Sequence, residues 1–152
     1  MSIKYLVVHH TASGRDATVE EIRDWHVSGR GWRDIGYHWL VRQPEGTRRA
    51  VVHMGRKHNL DDVWEPWEYG AHVRGYNSES MGIALIGNFA EERMPRDMRA
   101  RLVEHLAFLC VTLGLNPHEA IRGHREMPGA STACPGSFRL NKLRCDVAEK
   151  IG

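Results

Sequence analysis

The chain has 152 residues, of which 41% are hydrophobic and 26% charged, with a formal net charge of +2. That length suits one domain with a continuous core, and the charge is too small to call for a nucleic-acid partner. The longest apolar stretch, Leu106 to Leu115, is interrupted by Thr112 and Gly114 and reaches about half of the roughly 20 residues that span a bilayer, so no membrane span is expected. Three cysteines without framework spacing argue against a disulfide scaffold. Lys4 and a short apolar run ending in two histidines do not form a cleavable signal, which predicts a chain made and folded in the cytoplasm.

In chain order, Ile3 to Val8 is rich in β-branched and aromatic residues and predicts a strand with His9 and His10 at its C-terminal end. Thr18-Val19-Glu20-Glu21 has the form of a capping box, and Val19, Ile22 and His26 recur at helical spacing until Gly29 closes the helix. Tyr37 to Arg42 and Ala50 to His53 predict a hairpin around Pro44-Glu45-Gly46-Thr47. The region from Asn59 to Asn77 has no periodicity and reads as a long, aromatic-rich loop. Met81 to Ile86 suits a strand buried on both faces. From Pro95, an apolar stripe of Met98, Leu102, Leu106, Leu109 and Leu113 predicts a helix capped by Gly114, and a last helix covers Leu140 to Lys150 with Leu143, Val147 and Ile151 inward. The order predicts one α/β domain over residues 1–152: a central mixed β-sheet flanked by helices.

Ten histidines are present, so position has to discriminate among them. Strand alternation gives Val7 and His9 one face and Val8 and His10 the other, so only one of the pair can aim directly at a given site. The stretch from Gly123 to Gly136 is dominated by glycine, proline and small residues, and it carries His124 and Cys134. Cys110 falls inside a helical stripe and reads as core, and Cys145 as structural. One imidazole from a strand end, with an imidazole and a thiolate from a loop, matches catalytic zinc, which keeps three protein ligands and a fourth position for water. Mg²⁺ and Ca²⁺ prefer oxygen donors.

Six blocks in order carry a resemblance: Val7-Val8-His9-His10-Thr11-Ala12, Gly31 to His38, Gly70 to Asn77, Ser80 to Gly87, Gly123-His124-Arg125-Glu126 and Thr132-Ala133-Cys134-Pro135-Gly136. Over nearly its whole length the chain resembles the zinc-dependent N-acetylmuramoyl-L-alanine amidases of type 2, which include phage amidases and peptidoglycan recognition proteins. The resemblance implies one Zn²⁺ per chain on His9, His124 and Cys134, with Tyr37 and Thr132 catalytic. It further implies His72 and Asn77 along the substrate groove, while His38 is expected to orient a zinc ligand. His10 stands at a variable position, and His26, His53, His58, His105 and His118 match nothing catalytic. Thr132 replaces a lysine found in some phage members, and the His124-to-Cys134 spacing is about two residues longer than in several relatives, with Pro128-Gly129 as the insertion.

The resemblance implies hydrolysis of the amide between N-acetylmuramic acid and L-alanine of peptidoglycan, by a monomer without a separate wall-binding domain. Zinc would activate water and polarise the carbonyl. Tyr37 would donate to the oxyanion, and Glu126 is chemically able to carry a proton to the leaving amine. A phage endolysin reaching the wall after release is the first expectation and a secreted antibacterial effector the second. A binding-only module and a cytoplasmic muropeptide-recycling amidase are the alternatives.

Overall fold

The computed structural model describes residues 2–61 and 63–152; Met1 and Asp62, the latter within the expected long loop, lie outside that description. Its elements are β1 (Tyr5–His10), α1 (Val19–Arg30), β2 (Trp39–Arg42), β3 (Val51–Met54), β4 (Ser80–Leu85), α2 (Arg96–Leu113), α3 (Pro117–Ala120), β5 (Ile121–Gly123) and α4 (Leu140–Ile151). The strands form one sheet in the order β3-β2-β4-β1-β5. Among the described residues only the β2–β3 hairpin is antiparallel; β2–β4, β4–β1 and β1–β5 are parallel. The mixed sheet flanked by helices is the expected fold class.

Local chemistry explains the boundaries. Thr18 Oγ1 accepts the Glu21 N–H while a Glu21 carboxylate oxygen accepts the Thr18 N–H, so both ends of the capping box form. The helix runs past Gly29, where the sequence predicts its end, and stops at Gly31, whose φ of +72° provides the left-handed cap. Gly114, at φ +67°, closes α2 as expected, and Pro95 precedes its first helical residue. β1 begins two residues later than expected and includes both histidines.

Three expectations fail for identifiable reasons. β5 and α3 are too short, at three and four residues, to show periodicity, and the sequence reads them as loop. Ile151 is 40% exposed because it occupies the last turn of α4, at the end of the helix. Cys145 is exposed rather than packed, whereas Cys110 is buried in the core beside Leu106 and Leu109.

Alternation sorts the two faces of the sheet. Leu6 and Val8 of β1, with Met81, Ile83 and Leu85 of β4, pack with α2 and α4. On the other face, Val19 and Ile22 of α1 pack against Leu40, Ala84 and Ile86, and Val7 packs against Val73 and Met127. His9 therefore shares the Val7 face and His10 the Leu6–Val8 face. Four of the five strands run the same way, so their C-terminal ends meet at one edge, where α/β sheets build their sites. No helix among the described residues is long and apolar enough to cross a membrane.

Candidate metal centre and active site

Parallel register brings distant residues together. Val8 pairs with Gly123, so the next residues, His9 at the end of β1 and His124 immediately after β5, stand side by side, with ring centroids 4.7 Å apart. Cys134 reaches the same place from the loop, with Sγ 3.7 Å from His9 Nδ1. One donor atom from each of His9, His124 and Cys134 lies within 4.8 Å of the others. Tetrahedral Zn²⁺ with ordinary Zn–N and Zn–S bonds separates a nitrogen and a sulfur by about 3.6 Å. The donor set and its spacing fit that ion.

A hydrogen-bond chain settles which His9 nitrogen is available. Ser80 Oγ donates its proton to the Tyr76 carbonyl at 2.7 Å, which leaves Ser80 Oγ itself to accept from His72 Nε2 at 3.3 Å. His72 Nδ1 must then accept, and it lies 2.8 Å from His9 Nε2. His9 therefore carries its proton on Nε2 and turns a bare Nδ1 toward Cys134, the arrangement a metal-binding imidazole needs. His72 lies directly over β4 because residue 82 is glycine: a Cβ there would stand 2.8 Å from the His72 ring.

Burial pushes His9 far below the usual imidazole range, with the neighbouring His72 adding to the effect, and it brings His72 down to about 3. Both rings are neutral, as metal binding by His9 would require. Burial also pushes the Cys134 thiol up to about 11, only partly offset by the His10 N–H and Arg125. A divalent cation reverses that preference, because a coordinating thiol deprotonates.

The surrounding recess, about 280 Å³, is bordered by Tyr37, His26, Arg30, Trp32, Thr132 and both strand-end histidines, among others. Burial raises the Tyr37 phenol well above its usual range, with Cys134 contributing, so it remains a proton donor. Thr132 Oγ1 accepts the Cys134 N–H at 3.1 Å and keeps its own hydroxyl proton free to donate. His124 and Thr132 also line an adjoining recess of about 320 Å³ with Val73, Arg74 and residues 128–131, so the expected insertion forms a wall of that second recess.

Three sequence expectations change, and a fourth gains a second role. His38 donates from Nε2 to the Glu68 carbonyl and accepts the Gly82 N–H at Nδ1, so neither nitrogen supports His9, His124 or Cys134. The imidazole that holds His9 is His72, which borders the recess as expected but has both ring nitrogens committed to His9 and Ser80. Asn77 Oδ1 accepts the His72 and Val73 N–H groups, which fixes the loop carrying His72 rather than reaching the groove. Glu126 is not a free proton carrier: burial would raise its pKa, but Arg144 and the Gly123 N–H bind both carboxylate oxygens and hold it below its usual value.

Sequence reasoning missed His26, which borders the recess. Its Nδ1 accepts the Gly36 N–H at 2.9 Å, and its ring lies 5.4 Å from that of Tyr37. Its helical spacing to Val19 and Ile22 is legible, but only the packing of α1 beside Tyr37 reveals the contact.

Comparison with known proteins supplies the family. Residues 1–137 match the family model described as N-acetylmuramoyl-L-alanine amidase. The chain belongs to this family. It is 32% identical over 141 residues to the endolysin of Escherichia phage T7, covering 90% of this chain and 82% of that one. It is also 32% identical over 156 residues to an N-acetylmuramoyl-L-alanine amidase of Sus scrofa, covering 95% of this chain but spanning only 23% of that longer protein. Among solved structures, the amidase LysC from Clostridium intestinale superposes with a TM-score of 0.77 at 26% identity, over 96% of this chain and 85% of that one. The amidase resemblance and the fold expected from the sequence are both borne out.

Proposed function

We propose that this chain hydrolyses the amide between the lactyl group of N-acetylmuramic acid and L-alanine of the peptidoglycan stem, with one Zn²⁺ held by His9 Nδ1, His124 and Cys134 Sγ. The observation that carries the reading is the convergence of those three donors beside Tyr37 in a recess open to solvent. Bound there, zinc supplies a water nucleophile near neutral pH and polarises the amide carbonyl.

The chain's own residues do the rest. His72 holds His9 in the ligating tautomer. Tyr37, kept protonated by burial, donates a hydrogen bond to the carbonyl oxygen as charge develops on it. Thr132 borders the same recess, provides a second hydroxyl donor and ties itself to the Cys134 amide. One chain supplies the whole donor set, so a monomer suffices. Retention of Cys134 argues against a module that only binds.

Similarity to phage endolysins over most of their length supports a role in degrading the bacterial wall after release from the producing cell. The test incubates the purified protein with intact sacculi, with and without a chelator, and assays new alanine amino groups and new reducing sugar ends separately. Chelator-sensitive amine release without reducing ends is expected. Reducing ends without amines would overturn the reading.

A further inference from the structure

His10 ends β1 at only 8% exposure, yet no nitrogen of its ring belongs to the donor set. Two contacts connect it to the thiol. Its main-chain N–H donates to Cys134 Sγ at 3.3 Å. Its ring Nδ1 accepts the Phe89 N–H at 3.1 Å, so the neutral imidazole keeps its proton on Nε2.

Phe89 passes the contact on. Its carbonyl accepts both the Ser137 N–H at 2.9 Å and the Ser137 hydroxyl at 3.2 Å. Between them sits Gly136, at φ +118°, so close that a Cβ would stand 2.5 Å from the Phe89 carbonyl. The Gly136 N–H in turn closes on the Ala133 carbonyl, so the turn that Phe89 braces is the one containing Cys134.

We infer that His10 is a positioning residue for the third metal ligand: Nδ1 fixes Phe89, Phe89 fixes the Gly136–Ser137 turn, and the turn holds Cys134 Sγ beside His9 and His124. The inference rests on the reading of Cys134 as a zinc ligand. It also explains how adjacent histidines on opposite faces of one strand serve a single centre, one by ligating and the other by bracing. The atom that matters is Nδ1. Asparagine places its Oδ1 where that nitrogen stands, whereas glutamine places its acceptor near Nε2.

The experiment compares His10→Ala, His10→Gln and His10→Asn in the whole chain. Zinc affinity is read by competition with a chromogenic chelator, and amide exchange at Phe89 and Ser137 is read in the metal-free protein. Alanine and glutamine should weaken zinc binding by about 10–100-fold, the usual effect of losing a group that supports a ligand, and should speed exchange at both amides. Asparagine should retain wild-type affinity and slow exchange.

Asparagine behaving no better than glutamine overturns the inference, and so does wild-type Phe89 exchange in the alanine variant. Should alanine fail to fold, the asparagine–glutamine pair still decides. Cys134→Ala separates the two levels, with the thiolate charge-transfer band of the cobalt-substituted protein as a second readout. If that variant keeps zinc affinity and the band, the ligand reading itself fails. If it loses both while the His10 variants match wild type, only the bracing role fails.

Discussion

The two halves of the donor set are built differently. His9 and His124 are placed by sheet register, through the Val8–Gly123 pairing, and that register is locked by fully buried Leu6, Val8 and Ile121 beneath. Cys134 is placed by polar contacts within a loop: its carbonyl accepts the Arg125 N–H at 2.9 Å, its own N–H reaches Thr132, and the Arg125 guanidinium binds the Gly136 and Phe138 carbonyls. Such hydrogen bonds contribute about 0.5–1.5 kcal/mol each, net, whereas the apolar core contributes about 1.5–3 kcal/mol for each large side chain. The imidazole half is thus as rigid as the fold, and the thiol half can be disturbed without unfolding it.

The largest test of that contrast is Cys134→Ala. It should abolish stoichiometric zinc and lower amide hydrolysis by about 10³-fold or more, since a catalytic zinc keeps three protein ligands. Metal-free stability should change by less than about 1 kcal/mol, because the residue is held by a loop. Cys110→Ala, inside α2, should do the reverse: zinc and activity kept, and about 1 kcal/mol lost on denaturant unfolding. Equal zinc content in the two variants would remove Cys134 from the ligand set.

Tyr37→Phe should keep the zinc and lower kcat by about 10²–10³, the usual cost of one oxyanion donor. An unchanged rate would assign that role elsewhere. His72→Ala probes the imidazole half. It should weaken zinc about 10–100-fold by freeing the His9 tautomer, a loss visible in competition titrations before any activity is measured. Unchanged affinity would mean that packing alone orients His9.

The same division governs what could be read from the sequence. The donor residues, the capping box and the α2 stripe were legible because each is a local pattern or a quoted motif. Alternation limits the centre to one of His9 and His10, and the resemblance of the Val7–Ala12 block selects His9. The partner of His9 is not legible, because the choice of His72 over His38 depends on how the loop from Gly70 folds over Gly82, and His72 stands 63 residues from His9 in sequence. Glu126 looked like a free carboxylate until α4 brought Arg144 against it, a long-range pairing that leaves no local trace. β5 was invisible at three residues, although it is the strand that delivers His124.

The smallest expected effect concerns histidines outside the centre and serves as its control. Burial brings His105 down to about 4, with His58 adding and Glu104 opposing; the ring packs on Trp39, and its Nε2 makes no hydrogen bond. An unfolded histidine titrates near 6.5. Between those values the unfolded chain takes up a proton that the folded chain refuses. The contribution to stability is therefore present above about pH 6.5 and is lost as pH falls through about 4. His105→Leu should thus flatten the decline: near-equal urea midpoints at pH 7.5, and an advantage of about 1 kcal/mol over wild type at pH 5 once partial exposure is allowed for. Zinc affinity at pH 7.5 should be unchanged, since the ring lies with α2 on the far side of the sheet from the Val7–His9 face. An unaltered pH slope would shift the acid sensitivity from the core back to the imidazoles of the metal centre.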